Sequence, residues 1–343
     1  MAYSTIEDPS EYFQTALYTG NGSTQSITND GNSDMQPDWV WVKSRSIAYH
    51  NVVFDSSRGV NQRLSTNLTA AEDTGAGYGT VSAFNSDGFS VSSGANTNNN
   101  SATYVAWQWK ANGGTTAANS DGSLASVVQA DTTAGFSIVT WTGAGGVRTV
   151  GHGLGVAPDV IIVKNRSTST QWGVWHKNLA DTDKNLRINS TSAEVDDALW
   201  NDTVPTSSVF SIGSSAEVSG NSIAYCFAEK QGYSKFGKYV GNGNANGSFV
   251  YTGFKPAFVM VKAITSSKNW DISTGAVSSN QIDERLRANL ADAEESSGHI
   301  DFLSNGFKMR NTNGTQNSSG VTYIYMAFAE SPFVAEGVPT TAR

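Results

Sequence analysis

Charge is scarce in this chain. Only 15% of its 343 residues are Asp, Glu, Lys or Arg, against about a quarter in ordinary globular proteins. The 22 basic residues form no cluster and the net charge is −8, which argues against a nucleic-acid surface. No apolar run approaches the roughly 20 residues that cross a bilayer, so no membrane insertion is expected. One cysteine, Cys226, excludes an intrachain disulfide. It stands in an alternating strand and is expected to point into a core, consistent with synthesis in a reducing cytoplasm. The 7 prolines are too few for a collagenous rod. Met1 to Asp8 shows neither a basic start nor an apolar run, so no signal peptide is expected there. Helical periodicity is nearly missing. The best stretch, Gln281 to Glu295, is expected to give a short helical turn at most.

What the chain has is repetition. Pro37-Asp38-Trp39-Val40-Trp41-Val42-Lys43 returns as Pro158-Asp159-Val160-Ile161-Ile162-Val163-Lys164 and as Pro256-Ala257-Phe258-Val259-Met260-Val261-Lys262. Upstream of each stands an aromatic (Phe13, Phe136, Phe236) and a Gly-rich turn. Downstream comes Leu-x-x-Asn, at Leu64/Asn67, Leu186/Asn189 and Leu286/Asn289. An Ala-Glu pair follows at constant offset, ending in Glu72, Glu194 and Glu294. Each copy closes on an aromatic-rich strand, around Trp107, Tyr225 and Tyr325. Units of about 100 residues are domain-sized, not solenoid rungs.

Val, Ile and aromatic residues cluster in short runs broken by Gly, Asn, Ser and Asp, the signature of strands and turns. The Pro-to-Lys runs fit either a strand buried on both faces or a sandwich strand with Trp on one face. The expected fold is all-β, with three tandem antiparallel β-sandwich modules of jelly-roll or concanavalin-like form. An immunoglobulin-type sandwich is the alternative. The expected boundaries are an N-terminal arm (1–12), module 1 (13–112), a flexible linker (113–134), module 2 (135–233), module 3 (234–331) and an extended tail (332–343). In this alignment His50 takes the place of Trp172 and Trp270.

No catalytic constellation is visible. His50, His152, His176 and His299 show no metal-ligand spacing. Glu72, Glu194 and Glu294, with acidic neighbours, are the candidates for a Ca²⁺ site in each copy. The bland reading is a polar loop that caps backbone N–H groups. Trp41, Trp172 and Trp270 are the candidates for stacking a sugar; core packing is the competing reading. No Gly-rich turn is followed by Lys-Ser/Thr, so nucleotide binding is excluded.

Three segments carry a resemblance: Gly151-His152-Gly153-Leu154-Gly155-Val156-Ala157-Pro158-Asp159; Tyr225-Cys226-Phe227-Ala228-Glu229 with Gly232-Tyr233-Ser234-Lys235-Phe236-Gly237; and Tyr18-Thr19-Gly20-Asn21-Gly22-Ser23. They resemble repeated modules in virion proteins of tailed bacteriophages, marine phages above all, of the tail-fibre-like kind. The resemblance implies a non-enzymatic structural protein of the virion, made in the host bacterial cytoplasm. It implies assembly with itself, as a homotrimer, and with other phage virion proteins, and contact with a host surface glycan. A carbohydrate-binding receptor-recognition protein is the alternative, and a capsid-decorating role a further one within the virion class.

Overall fold

The computed structural model describes residues 4–278, 280–332, 334–335 and 338–339. Among them the protein is all-β, built of antiparallel sheets. The main sheet of each repeat, five-stranded in repeat 1 and eight-stranded in repeats 2 and 3, contains the same five strands in one spatial order: opening strand, closing strand, Pro-to-Lys strand, return strand, Leu strand. In repeat 1 these are Phe13–Thr19, Thr103–Trp109, Trp39–Ser44, Val52–Asp55 and Leu64–Ser65. In repeat 2 they are Phe136–Gly143, Gly220–Phe227, Val160–Asn165, Gly173–His176 and Lys184–Arg187. In repeat 3 they are Ser234–Val240, Thr322–Pro332, Phe254–Ala263, Trp270–Thr274 and Ile282–Arg287. The register repeats too, with Trp39 opposite Trp109, Val160 opposite Phe227 and Phe258 opposite Phe328.

Successive side chains of a strand point to opposite faces, and here both faces are buried. Trp39 and Trp41, Val160 and Ile162, and Phe258 and Met260 all enter one central core shared by the three repeats. Their neighbours Val40 and Val42, Ile161 and Val163, and Val259 and Val261 enter three separate outer cores. The closing strands alternate the same way, sending Trp107 and Trp109, Tyr225 and Phe227, and Met326 and Phe328 inward. Small outer strands, such as Arg148–Gly151 with Val209–Ile212, cover the outer cores. Trp39 stacks on Tyr225 at 4.4 Å, and Phe13 on Phe328 at 5.3 Å, so rings from different repeats hold the centre together.

Several expectations need correction. The segment 113–134 is not a loose linker: Ala117–Asn119 and Ser126–Asp131 extend the sheet of repeat 2, and Gln129 is fully buried. Its lack of aromatics does not matter, because it is held by backbone pairing to a sheet edge that needs a partner. The Gln281–Glu295 stretch is not helical: Ile282–Arg287 is strand and a loop follows, because Ile282 and Leu286 anchor in two different cores while Leu286 pairs with Ile272. Phe236 is not the counterpart of Phe13. Ser234 stands opposite Phe328, as Phe13 does opposite Trp109, and Phe236 falls at the position of Thr15. The N-terminal arm is tied down through Ser4 Oγ, which donates to Gln231 O, and through Ile6 in the central core. Most of the expected tail, 332–343, lies outside the described residues. Cys226 is buried in the outer core of repeat 2, where burial pushes its thiol pKa up.

Candidate functional site

The repeated polar residues converge on the junctions between repeats. Lys43, Lys164 and Lys262 share the inward parity of Trp39, Val160 and Phe258, so the strand delivers each ammonium to the end of the central core. All three are fully buried. Each crosses to a carbonyl of the preceding repeat in a closed cycle: Lys43 Nζ to Ala291 O (3.0 Å), Lys164 Nζ to Thr69 O (3.1 Å), Lys262 Nζ to Thr191 O (3.0 Å). Further carbonyls complete each cage, such as Ser44 O and Tyr49 O around Lys43. A lysine suits this role because it offers three donors and no acceptor. Burial lowers its pKa to about 8 in Lys43 and Lys164 and to about 7 in Lys262.

The Ala-Glu loops lie beside these cages. Glu72 N donates to Arg166 O, Glu194 N to Ile264 O and Glu294 N to Arg45 O, two residues beyond each lysine of the next repeat. The carboxylates differ. Glu72 accepts from Arg166 Nε and Nη2 (2.9 and 2.8 Å) and from the buried Arg58. Burial opposes the Glu72 charge, but Arg166 and Arg58 outweigh it and hold the carboxyl below its usual range. Glu294 forms a two-pronged pair with Arg45 (2.8 and 2.9 Å). Glu194 meets Ile264 where the others meet arginine, and among the described residues its carboxylate accepts from Ala180 N at 3.0 Å. The Ca²⁺ candidates Glu72 and Glu294 therefore hold guanidinium groups, and the three glutamates sit at three separate junctions.

The proposed sugar platforms are also interior. Trp41, Trp172 and Trp270 are 1%, 0% and 2% exposed, and all 9 tryptophans are buried. Their repeated residue is a junction tie as well. Trp172 Nε1 donates to Ser65 O (2.9 Å) and Trp270 Nε1 to Arg187 O (3.0 Å). The matching residue of repeat 1 is Asn51, not His50: Asn51 N, Trp172 N and Trp270 N each donate to the Asn of the local Leu-x-x-Asn. Asn51 Nδ2 supplies the missing indole donor, to Arg287 O at 2.9 Å. Trp41, where the other repeats have Ile162 and Met260, supplies the missing bulk and donates to Asn51 Oδ1. His50 instead sits beside, with Nδ1 accepting from Asn67 Nδ2.

Sequence reading missed what fills the gap between adjoining main sheets. Between repeats 1 and 2, Tyr225 Oη donates to Asp55 Oδ2 (2.7 Å), and Arg58 links Asp55 to Glu72. At the matching position between repeats 2 and 3, His176 is neutral, its pKa pushed down to about 3 by burial. Its Nδ1 accepts from Asn178 N, which leaves Nε2 to donate to Tyr325 O. Between repeats 3 and 1 the same position is Thr274, next to an open cleft of about 400 Å³. Phe13, Gln14 and Thr15 line one wall, Ala257, Gly275 and Ala276 the other, with Asp8, Asp30, Lys255 and Glu330 at the rim. The readable signal was Ala257 in the third copy, where the others have Asp38 and Asp159. Among the described residues no group of three or more His, Cys, Asp or Glu is placed to hold a metal ion, and no helix is long and apolar enough to cross a membrane.

Fold and junctions together define an all-β protein of three repeats packed around one core. The chain belongs to the family described as Domain of unknown function (DUF7483), which matches residues 8–332 and so spans all three repeats as one unit. No curated protein and no solved structure matches the chain.

Proposed function

We propose that this chain is a non-catalytic structural subunit of a tailed-phage virion, part of a tail fibre or another external appendage. The observation that carries the structural reading is the use made of the repeated polar residues. The lysine of every copy, the main-chain N–H of every Ala-Glu loop, and Asn51, Trp172 and Trp270 bond one repeat to another. The assignment to a virion rests on the resemblance of the Gly151–Asp159, Tyr225–Gly237 and Tyr18–Ser23 segments described above. Each repeat is read as a two-layer sandwich whose inner face is shared. The partners are other virion proteins and further copies of this chain. A homotrimer is not needed to make a threefold body, since one chain already packs three copies of the unit. Contact with host glycan falls to exposed turns such as Asn21 and Asn242, because every Trp is interior.

The test is to purify particles of a phage that encodes the chain and locate it by mass spectrometry and a density map of the particle. The expected result is a stoichiometric, external component. Presence in the infected-cell lysate with absence from gradient-purified particles overturns the proposal. Sedimentation of the purified chain decides between monomer and trimer.

A further inference from the structure

One gap is closed in three ways. At the junction of repeats 1 and 2 it holds a β-strand. Asp131, Ala130 and Gln129 lie opposite Phe136, Ser137 and Ile138 of the opening strand. Gln129 reaches back into repeat 1, donating to Ser56 Oγ (3.0 Å) and Ser57 Oγ (2.8 Å) and accepting from Gly114 N (2.8 Å). At the junction of repeats 2 and 3 the gap is closed by ion pairs. Lys177 spans Asp159 (3.1 Å) and Glu229 (2.9 Å), and Lys235 joins Glu229.

At the junction of repeats 3 and 1 the matching residues are the walls of the cleft. Phe13, Gln14 and Thr15 correspond by register to Phe136, Ser137 and Ile138. Gly275 and Ala276 correspond to Ser56 and Ser57, since Gly275 N donates to Ala257 O as Ser56 N does to Asp38 O. The substitutions all remove bulk or charge: Thr15 for Ile138 and Phe236, Ala257 for Asp38 and Asp159, Gly275 for Ser56 and Lys177. The Phe13–Thr19 strand is an edge of its sheet, whereas Phe136–Gly143 is not. Thr15 Oγ1 is buried with no hydrogen-bond partner.

We propose that this cleft takes an extended segment of another protein, which adds as an antiparallel strand to Phe13–Thr15. The internal strand Ser126–Asp131 shows the occupant's backbone. The cleft's own walls set its side chain. With Ser56 and Ser57 replaced by Gly275 and Ala276, the inward residue opposite Thr15 is apolar where the internal strand has Gln129. Strand addition draws affinity from main-chain pairing and specificity from alternate side chains, and an open edge is the ready template for it. Such a cleft serves this chain inside a virion or outside one.

The probe is a capped peptide of residues 124–132, in its native sequence and with Gln129→Leu, offered to the full chain. Binding is read by fluorescence anisotropy and by hydrogen exchange at Phe13–Thr15. The Gln129→Leu peptide is expected to bind saturably, about tenfold tighter than the native one, and to slow exchange of the Phe13–Thr15 amides. Gly275→Val adds bulk to the cleft wall at a position where a Cβ makes only ordinary contacts, with Phe302 Cδ2 at 3.6 Å and Glu330 Oε2 at 3.7 Å. It is expected to weaken binding by at least about tenfold at an unchanged thermal midpoint; Ala276→Leu is the second filling variant. Unsaturable binding, or tight binding that survives both variants, overturns the proposal. Self-association of the chain that either variant abolishes overturns it too, by giving the cleft to a second copy.

Discussion

The junctions of repeats 1 and 2 and of repeats 2 and 3 share a backbone plan and differ in chemistry. Both have a caged lysine, an indole N–H crossing to the Leu strand of the preceding repeat, and a main-chain bond from the Ala-Glu loop. The first adds a buried charge network of Asp55, Arg58, Glu72 and Arg166 around Tyr225. The second has Ile264 in place of the arginine and a neutral His176 in place of Asp55. The shared bonds are those that set geometry; the charges are variable additions. A buried ion pair is weak evidence for stability, yet removing one partner is costly. The two junctions should therefore respond very differently to similar substitutions.

The largest effect is expected from Arg58→Ala. It leaves Asp55 buried without its cation and should cost about 3–5 kcal/mol. His176→Ala at the matching junction leaves Tyr325 O and Asn178 N short of a partner and should cost about 1–3 kcal/mol. Urea unfolding of both variants measures the gap, and equal costs would break the contrast. Next comes the exchange of bulk in repeat 1. Asn51→Trp alone should overpack the core by about 1–3 kcal/mol. Combined with Trp41→Ile it copies repeat 2 and should recover most of that loss, so the double-mutant cycle should show a coupling of about 1 kcal/mol or more. Additive effects would mean that Asn51 is not the counterpart of Trp172.

The pH profile separates the junctions further. The His176 pKa is pushed down to about 3 in the fold, from 6.5. Between those values the unfolded chain binds a proton that the folded chain does not. Stability from His176 is thus present above pH 6.5 and falls as the pH drops toward 3, with a slope of at most about 1.4 kcal/mol per pH unit. Lys262 works in another window. Its pKa falls from 10.5 to about 7, so its contribution rises with pH across that interval. His176→Gln should flatten the acid limb of the unfolding free energy, and Lys262→Met the alkaline one. The smallest contrast lies between the paired and unpaired glutamates: about 1 kcal/mol for Glu294→Ala, whose Arg45 pair is partly exposed, and within about 0.5 kcal/mol for Glu194→Ala. A larger loss at Glu194 would remove the distinction between them.

The repeat itself, the alternation of the Pro-to-Lys strands and the burial of Cys226 were legible because period-2 patterning is local. What the inner faces pack against was not, since a strand buried on both sides reads alike in a sandwich and around a shared core. His50 was misaligned because matching by ring shape ignores a donor that an amide can supply, while Trp41, ten residues away, supplies the volume. The Glu72 and Glu294 loops were found as repeated, but their arginines stand in another repeat, beyond any spacing rule. The cleft is defined by small residues, Ala257, Gly275 and Thr15, and only comparison with Asp38, Ser56 and Ile138 gives them meaning.

The cycle of lysines also has a consequence for synthesis. Lys43 bonds to Ala291 across 248 residues, and Trp107 and Trp109 of repeat 1 pack on Phe258 and Phe328 of repeat 3. Contacts that distant in sequence slow folding, and a ribosome adds only about 5–20 residues per second. Repeat 2 brings Tyr225 to Trp39, but until repeat 3 is made Trp107 and Trp109 lack Phe258 and Phe328. The nascent chain must carry that part of the indole face uncovered until its last closing strand, Thr322–Pro332, has emerged.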